Sequence, residues 1–268
     1  MSESANPTGR ERAADREARR VVRRISHPRP WQYDYLMLRA IAAGLAREAS
    51  ALNGGGKMEV LDVGCKYMPY REFFSGKFSR YVGVDLESYR GMSARADGLR
   101  LPFLSDSFDL LLCTQAFYLM PDFRAALAEF ARVTRRGGRI VLTTIGIWPY
   151  PREQRLHRWS RRELEEALSE IGEARVEETG GYLHLIPQLA NAALAMGIER
   201  HLRREHGKAG GILALPLKGV YLGTNLLSMA GRAAIRAAAG AGLGWARSLN
   251  DLDSHLAINY LAVVSPRK

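Results

Sequence analysis

The stretch Val60-Leu61-Asp62-Val63-Gly64-Cys65-Lys66 constrains this chain more than any other. Residues 60–64 read as a buried strand, apolar but for Asp62, and a glycine-led turn follows. Beyond the turn, residues 70–74 can open a helix. A near-continuous apolar strand marks a parallel sheet covered on both faces. In such a sheet the carboxyl edge of the first strand is where a nucleotide-like ligand sits. Asp62 inside that strand is costly unless hydrogen-bonded. It either orients the backbone amides of the turn or receives a ligand amine.

The chain then alternates strand and helix. Tyr81-Val82-Gly83-Val84-Asp85 is a second short strand with an acid at its end. Phe108-Asp109-Leu110-Leu111-Leu112-Cys113-Thr114 is another buried run. Residues 123–134 have helical spacing, with Ala126, Leu127, Phe130 and Val133 on one face. Arg135-Arg136-Gly137-Gly138 has the composition of a helix stop. Residues 140–144 form the next strand, and Ser160-Arg161-Arg162-Glu163 is a capping box. A strand is expected near residues 174–178 and a last one over 258–264. Between them, residues 180–254 are rich in Ala, Leu and Gly and show no strand alternation. The expected fold is α/β, a mostly parallel sheet flanked by helices with a helical insertion between the last two strands.

With 268 residues, 47% of them hydrophobic and 25% charged, the chain supports one large domain over 31–268, with 180–254 a cap on it. Residues 1–30 carry Arg10, Arg12, Arg16, Arg19, Arg20, Arg23, Arg24 and Arg29 and read as a loose tail or a marginal basic helix. Cys65 and Cys113 make no disulfide framework. No leader is evident and no uncharged apolar run reaches the roughly 18–20 residues of a membrane span, so a soluble cytoplasmic protein is expected, with peripheral attachment at the inner face of the membrane as the alternative. The net charge of +11 fits nucleic acid, an anionic membrane surface or an anionic substrate. No zinc spacing or nucleic-acid motif accompanies it, which places lipid or a small anion ahead of nucleic acid.

Asp85 stands 21 residues after Gly64, the spacing a strand–helix–strand unit imposes, and a carboxylate there can accept both hydroxyls of a ribose. Asp97, before Gly98 and Leu101-Pro102-Phe103, can accept from an exocyclic amine such as that of adenine. Taken with these, Val60-Leu61-Asp62-Val63-Gly64-Cys65, Phe108-Asp109, Pro121-Asp122 and Glu129-Phe130-Ala131-Arg132-Val133 before Gly137-Gly138 resemble the class I S-adenosylmethionine-dependent methyltransferases, most closely the type 11 group. Pro69 to Phe74 and Arg158-Trp159-Ser160 also resemble bacterial members of glycan and lipid pathways.

The resemblance covers about residues 58–172. It implies a Rossmann-like seven-stranded sheet with an antiparallel last strand, and S-adenosylmethionine across its carboxyl edge. By position, Asp62, Gly64, Cys65 and Lys66 form the methionine turn. Asp85 and Leu86 face the ribose, Asp97 and Gly98 face adenine, and Thr114 and Gln115 line the sulfonium region. Two departures stand out. Lys66 replaces the usual glycine and either turns outward or pairs with the cofactor carboxylate. Tyr118-Leu119 replaces a common Glu-His pair.

Methyl transfer from a sulfonium is an in-line displacement that needs alignment; an oxygen acceptor also needs a base. His157 in Arg155-Leu156-His157-Arg158-Trp159 is the candidate base, Tyr118 and Tyr150 are further candidates, and Arg158 can bind an acceptor phosphate or carboxylate. Trp31, Tyr33 and Tyr35 are expected as a lid over the cofactor, and residues 180–254 as the cover of a pocket for a small or lipid-linked acceptor. Their apolar residues around Leu213, Leu222 and Leu227 can also touch a bilayer, with Lys218, Arg232 and Arg236 at the headgroups. The rival readings are a methyltransferase-like protein that binds without catalysis, and a nicotinamide oxidoreductase, for which the three-glycine fingerprint is missing.

Overall fold

The computed structural model describes residues 9–52, 57–149, 156–253 and 257–267. Seven strands form one sheet: β1 (Met58–Val63), β2 (Phe78–Asp85), β3 (Ala94–Arg95), β4 (Phe108–Thr114), β5 (Thr134–Ile145), β6 (Gly172–Thr179) and β7 (Asn259–Pro266). Their order is β3-β2-β1-β4-β5-β7-β6. β1 to β5 pair in parallel, and β7 lies antiparallel between β5 and β6. From β1 the chain moves outward to β3 and then returns to β4 on the other side. The carboxyl ends of β1 and β4 thus border the crevice where ligands of open α/β sheets bind.

Successive strand residues point to opposite faces, so the central residues of β1 and β4 bury apolar side chains on both sides of the sheet. Leu61, Val63, Leu111 and Cys113 join the core beneath α3 (Phe123–Val133) and α4 (Arg161–Ser169). Val60, Leu110 and Leu112 join the one beneath α2 (Tyr35–Ala51), whose Ile41 and Leu45 are buried. Each such side chain stabilises by about 1.5–3 kcal/mol when buried. Asp122 caps α3 by accepting the Ala125 N–H, and Ala126, Leu127, Phe130 and Val133 form its buried face.

Three local expectations are corrected. Residues 135–138 do not cap α3: β5 starts at Thr134, its register against β4 slips, and Gly137 takes the turn at φ +77°. Arg135 ties this start to Asp109 at 2.8 Å and to Glu59. Residues 70–74 give only a 3-10 turn, Arg71–Phe74. Ser160 does cap α4 through the Glu163 N–H, but the Glu163 carboxylate turns to His157 rather than back to the cap.

Gly9–Ser26 is a helix, α1, rather than a loose tail. Tertiary contacts supply what its arginine-rich composition does not. Ile25 packs into the α2-side core, and Arg24 pairs at 2.5 Å with the buried Asp34. His27 lies 3.2 Å from Glu72, and Arg90 pairs with Asp15.

The insertion comprises α5 (Tyr182–Leu194), α6 (Arg200–Leu213), α7 (Leu215–Gly240) and α8 (Gly244–Asp253). Pro187 stands inside α5 without ending it. A proline there removes the donor that the Leu183 carbonyl needs, and the Ser228 hydroxyl of α7 donates to that carbonyl instead, at 2.5 Å. With its one hydrogen so used, Ser228 accepts from His184 Nδ1–H at 2.8 Å. Burial and Arg232 lower the His184 pKa to about 4, so the ring is neutral. Buried amides fasten the insertion to the segment before α2: Asn225 donates to the carbonyls of Pro30 and Gln32, and Gln188 to that of Tyr33. Among the described residues no single helix is long and apolar enough to cross a membrane; Tyr182–Leu213 and Leu215–Gly240 meet at a bend of 67°.

Candidate functional site

At the end of β1 the chain turns back over β2. The Gly64 and Cys65 N–H groups both donate to the Val84 carbonyl, at 2.9 and 3.1 Å. The Lys66 N–H then donates to Asp85 Oδ2 at 2.9 Å, and the Glu87 N–H to Oδ1 at 3.3 Å. Asp85 is thereby fixed at the strand end, and an ionised carboxylate keeps further lone pairs for a diol. Gly64 has φ +68°, and a Cβ there would lie 2.3 Å from that of Ala116. Only glycine fits this approach of the β1 turn to the β4 turn.

These turns wall a cleft of about 570 Å³ at the carboxyl edge. On one side Asp97 accepts the Leu99 N–H at 2.9 Å, a tight turn that presents Gly98, buried against Met120 and Val63. On the other, Gln115 takes φ +53°, donates its N–H to the Thr143 carbonyl at 3.0 Å and ties its side-chain amide to Thr143 Oγ1 at 3.2 Å.

Of the residues read from the sequence, Gly64, Lys66, Asp85, Leu86, Asp97, Gly98, Gln115 and Tyr118 line the cleft together. Asp62, Cys65 and Thr114 do not; all three are buried. The Cys65 thiol packs by Gly83, away from the cleft, and burial pushes its pKa up. Asp62 accepts the Tyr81 hydroxyl at 2.6 Å and does not hold the turn amides. Burial raises its carboxyl to about 7, against the stabilising Tyr81 bond. Its Oδ1 and the hydroxyl of the nearby Tyr70 have no partner among the described residues. A buried acceptor beside the glycine turn suits an ammonium, so the residues present fit the amino-acid end of S-adenosylmethionine, as Asp85 and the 97–98 turn fit its nucleoside end.

The Lys66 ammonium stands 5.8 Å from the Tyr89 ring centroid, on the side of the β2 end. Tyr89 donates to Glu87 at 2.8 Å, a bond that pushes its phenol up to about 12. Tyr89, Glu87 and Met120 line the cleft and were not foreseen. The signal for the first two is only their place just past Asp85, in a loop without periodicity.

His157 is not in the cleft lining. Its N–H donates to the Tyr118 carbonyl at 3.0 Å, its ring centroid stands 4.0 Å from that of Trp159, and Nε2 is 2.8 Å from Glu163. This histidine braces the turn that carries Tyr118 rather than facing an acceptor. Arg158 is exposed and also outside the lining. Tyr150 lies outside the described residues. Tyr35 is buried, while Trp31 and Tyr33 face a separate groove, so the aromatic trio forms no lid. Nor does any described residue of 180–254 line the cleft.

Residues 61–142 match the family model described as a methyltransferase domain. The malonyl-[acyl-carrier protein] O-methyltransferase of Hamiltonella defensa is 33% identical over 101 residues, 34% of this chain and 39% of that protein. The demethylmenaquinone methyltransferase of Mycobacterium marinum is 32% identical over 126 residues, 44% of this chain and 53% of that one. The chain thus spans about half or less of the length of these relatives. The crystal structure of the [4+2]-cyclase SpnF covers 87% of this chain and 83% of its own, with a TM-score of 0.53 at 16% identity, a likeness of fold.

Proposed function

We propose that the chain, whose residues 61–142 match the methyltransferase-domain family model, transfers a methyl group from S-adenosylmethionine to an oxygen of a lipid-linked acceptor at an anionic membrane surface. The observation that carries the transfer is the cleft where Gly64, Asp85 and the Asp97–Gly98 turn converge. When bound there, S-adenosylmethionine supplies an electrophilic methyl group on a sulfonium. Asp85 would hold the ribose hydroxyls, the 97–98 turn the adenine, and the Gly64 turn, with the buried Asp62 carboxyl behind it, the amino-acid end. Gln115 and Tyr118 wall the cleft on the β4 side and would align the acceptor, which is what an in-line displacement requires.

Among the described residues lining the cleft there is no histidine, Asp85 and Asp97 accept backbone N–H groups, and Glu87 accepts the Tyr89 hydroxyl. An acceptor oxygen that arrives ionised, as a carboxylate or an acidic phenol does, needs no base. The relative named as an O-methyltransferase supports oxygen as the atom methylated.

The membrane part rests on α7. Its buried residues are Tyr221, Asn225 and Ser228, whereas Leu215, Leu226 and Leu227 are 50%, 48% and 75% exposed. Lys218 is the one charged residue between Leu215 and Gly231. An outward face that is apolar but for one lysine suits the boundary of a bilayer, with the lysine and nearby arginines at the anionic headgroups.

Calorimetric titration with S-adenosylmethionine and S-adenosylhomocysteine tests the core of this reading: both should bind, and binding of neither overturns it. Sedimentation with anionic vesicles tests the rest; the wild-type chain should pellet and the Leu226→Asp, Leu227→Asp variant should not. The location of His157 outside the cleft favours one second reading, cofactor binding without transfer. Labelled methyl appearing in an extracted lipid would end it.

A further inference from the structure

A groove of about 560 Å³ lies apart from the cofactor cleft, between α1 on one wall and α6 and α7 on the other. α1 contributes Arg16, Arg19, Arg20, Arg23 and Arg24; the link to α2 contributes Arg29; the insertion contributes Arg203 and Lys218. Against these eight cations stands one lining carboxylate, Glu199. Arg24 is engaged by Asp34 and Arg203 by Glu199. Among the described residues no carboxylate lies within ion-pair distance of Arg16, Arg19, Arg20, Arg23 or Lys218. On α1 the arginines also stand four apart, 16 with 20 and 19 with 23, where like charges destabilise a helix. An anion seated in the groove relieves that repulsion and answers the cations on both walls.

The groove is not bare charge. Trp31, Tyr33 and Tyr221 line it, with the Arg29 guanidinium 5.4 Å from the Trp31 ring and Tyr33 packed edge-on to Tyr221 at 6.4 Å. Lys218 sits on α7 itself, one turn from the exposed Leu215. The groove shares part of its lining with a neighbouring hollow. Arg19, Arg23, His27 and Arg29 line a second hollow of about 710 Å³ that Tyr67 bounds. The Tyr67 ring packs at 5.2 Å on Tyr89, which lines the cofactor cleft.

We propose that this groove binds the phosphoryl or diphosphoryl headgroup of the acceptor lipid. Guanidinium groups match phosphate oxygens in pairs, and the place of Lys218 lets a headgroup enter from the side on which the apolar face of α7 meets the bilayer. That the occupant is the acceptor rests on the methyl-transfer reading; that it is a phosphoryl anion does not.

The test titrates the full chain with inorganic diphosphate in the calorimeter and pellets it with phosphatidylcholine vesicles with or without phosphatidic acid. The groove variant is Arg20→Gln with Lys218→Gln, one cation from each wall. The control is Arg124→Gln with Arg162→Gln, the same charge removed from α3 and α4. Diphosphate should bind the wild-type and control chains alike and the groove variant at least roughly tenfold more weakly, as loss of charge-assisted contacts implies. Preference for phosphatidic acid, lost in the groove variant, assigns the headgroup to a lipid. Diphosphate binding with no such preference keeps the phosphoryl site and overturns its lipid source. Equal weakening in the control, or no diphosphate binding by the wild-type chain, overturns the site. Titration with S-adenosylmethionine in parallel separates this outcome from that of the transfer reading, because the groove variant leaves the cleft intact.

Discussion

Replacing Gly64 with alanine tests the geometry of the cofactor cleft directly. At φ +68° an L side chain costs about 1–2 kcal/mol. The new methyl would also stand 2.3 Å from Ala116 Cβ, where carbon atoms rest at about 3.5–4.0 Å. Overpacking of that kind costs a further ~1–3 kcal/mol. The total is smaller than the ~5–15 kcal/mol by which a domain is stable, so Gly64→Ala should remain folded with the Ala116 turn displaced. Gln115, just before it, is held through its N–H to Thr143, so the displacement falls on the cleft wall. Affinity for S-adenosylmethionine should drop at least roughly tenfold, equivalent to about 1.4 kcal/mol. Calorimetry and urea unfolding of Gly64→Ala, Ala116→Gly and the double variant separate the two causes. The double variant restores the space and keeps only the backbone cost, so it should regain part of both stability and affinity. Wild-type binding by Gly64→Ala, or a double variant no better than the single one, would refute the reasoning.

Asp85→Asn should keep the fold, since its oxygen can still accept the Lys66 N–H, but lose roughly tenfold or more in S-adenosylmethionine affinity, read by calorimetry. Ser228→Ala should cost about 1–3 kcal/mol in urea unfolding, because the Leu183 carbonyl over Pro187 loses its donor and His184 its acceptor. His184, depressed to about 4, contributes stability that is intact above its unfolded value of about 6.5 and is lost as pH falls toward 4; unfolding midpoints should fall over that window, and less so in His184→Gln. Asp62, raised to about 7, acts with the opposite sign: its share is full below about 3.8 and is lost as pH climbs toward 7. Asp62→Asn should therefore flatten its part of the profile while the Tyr81 hydroxyl keeps an acceptor.

Much of the fold was legible because its signals are local. The apolar runs at 60–63 and 108–114, the buried stripe of α3 and the acid at the end of β2 each report one strand or helix and one face. The cleft residues Gly64, Asp85, Asp97 and Gln115 were legible for the same reason, since they sit where strands end. What was missed depends on partners distant in sequence. Nothing around His157 shows that Glu163 and the Tyr118 carbonyl will hold it away from the cleft. Asp62 has no local sign of Tyr81, nor does α1, arginine-rich along its length, announce the Asp34 that receives Arg24.

The insertion was the hardest part to read, and the reason bears on function. Helix periodicity locates a core when apolar residues face inward; on α7 the residues that face inward are Asn225, Ser228 and Tyr221, held by Asn191, Leu183, His184 and Glu199. Burying amides and hydroxyls is tolerable only when each is bonded, and these are, which makes the interior of the insertion specific rather than oily. The leucines displaced from it, Leu215, Leu226 and Leu227, lie exposed on the outer side. Water is a poor surrounding for such a face; lipid is a good one. On the proposed reading a bilayer there would bring phosphate oxygens level with Lys218 and the arginines of α1, so that one surface would account both for the outward leucines and for the cations that have no carboxylate partner among the described residues.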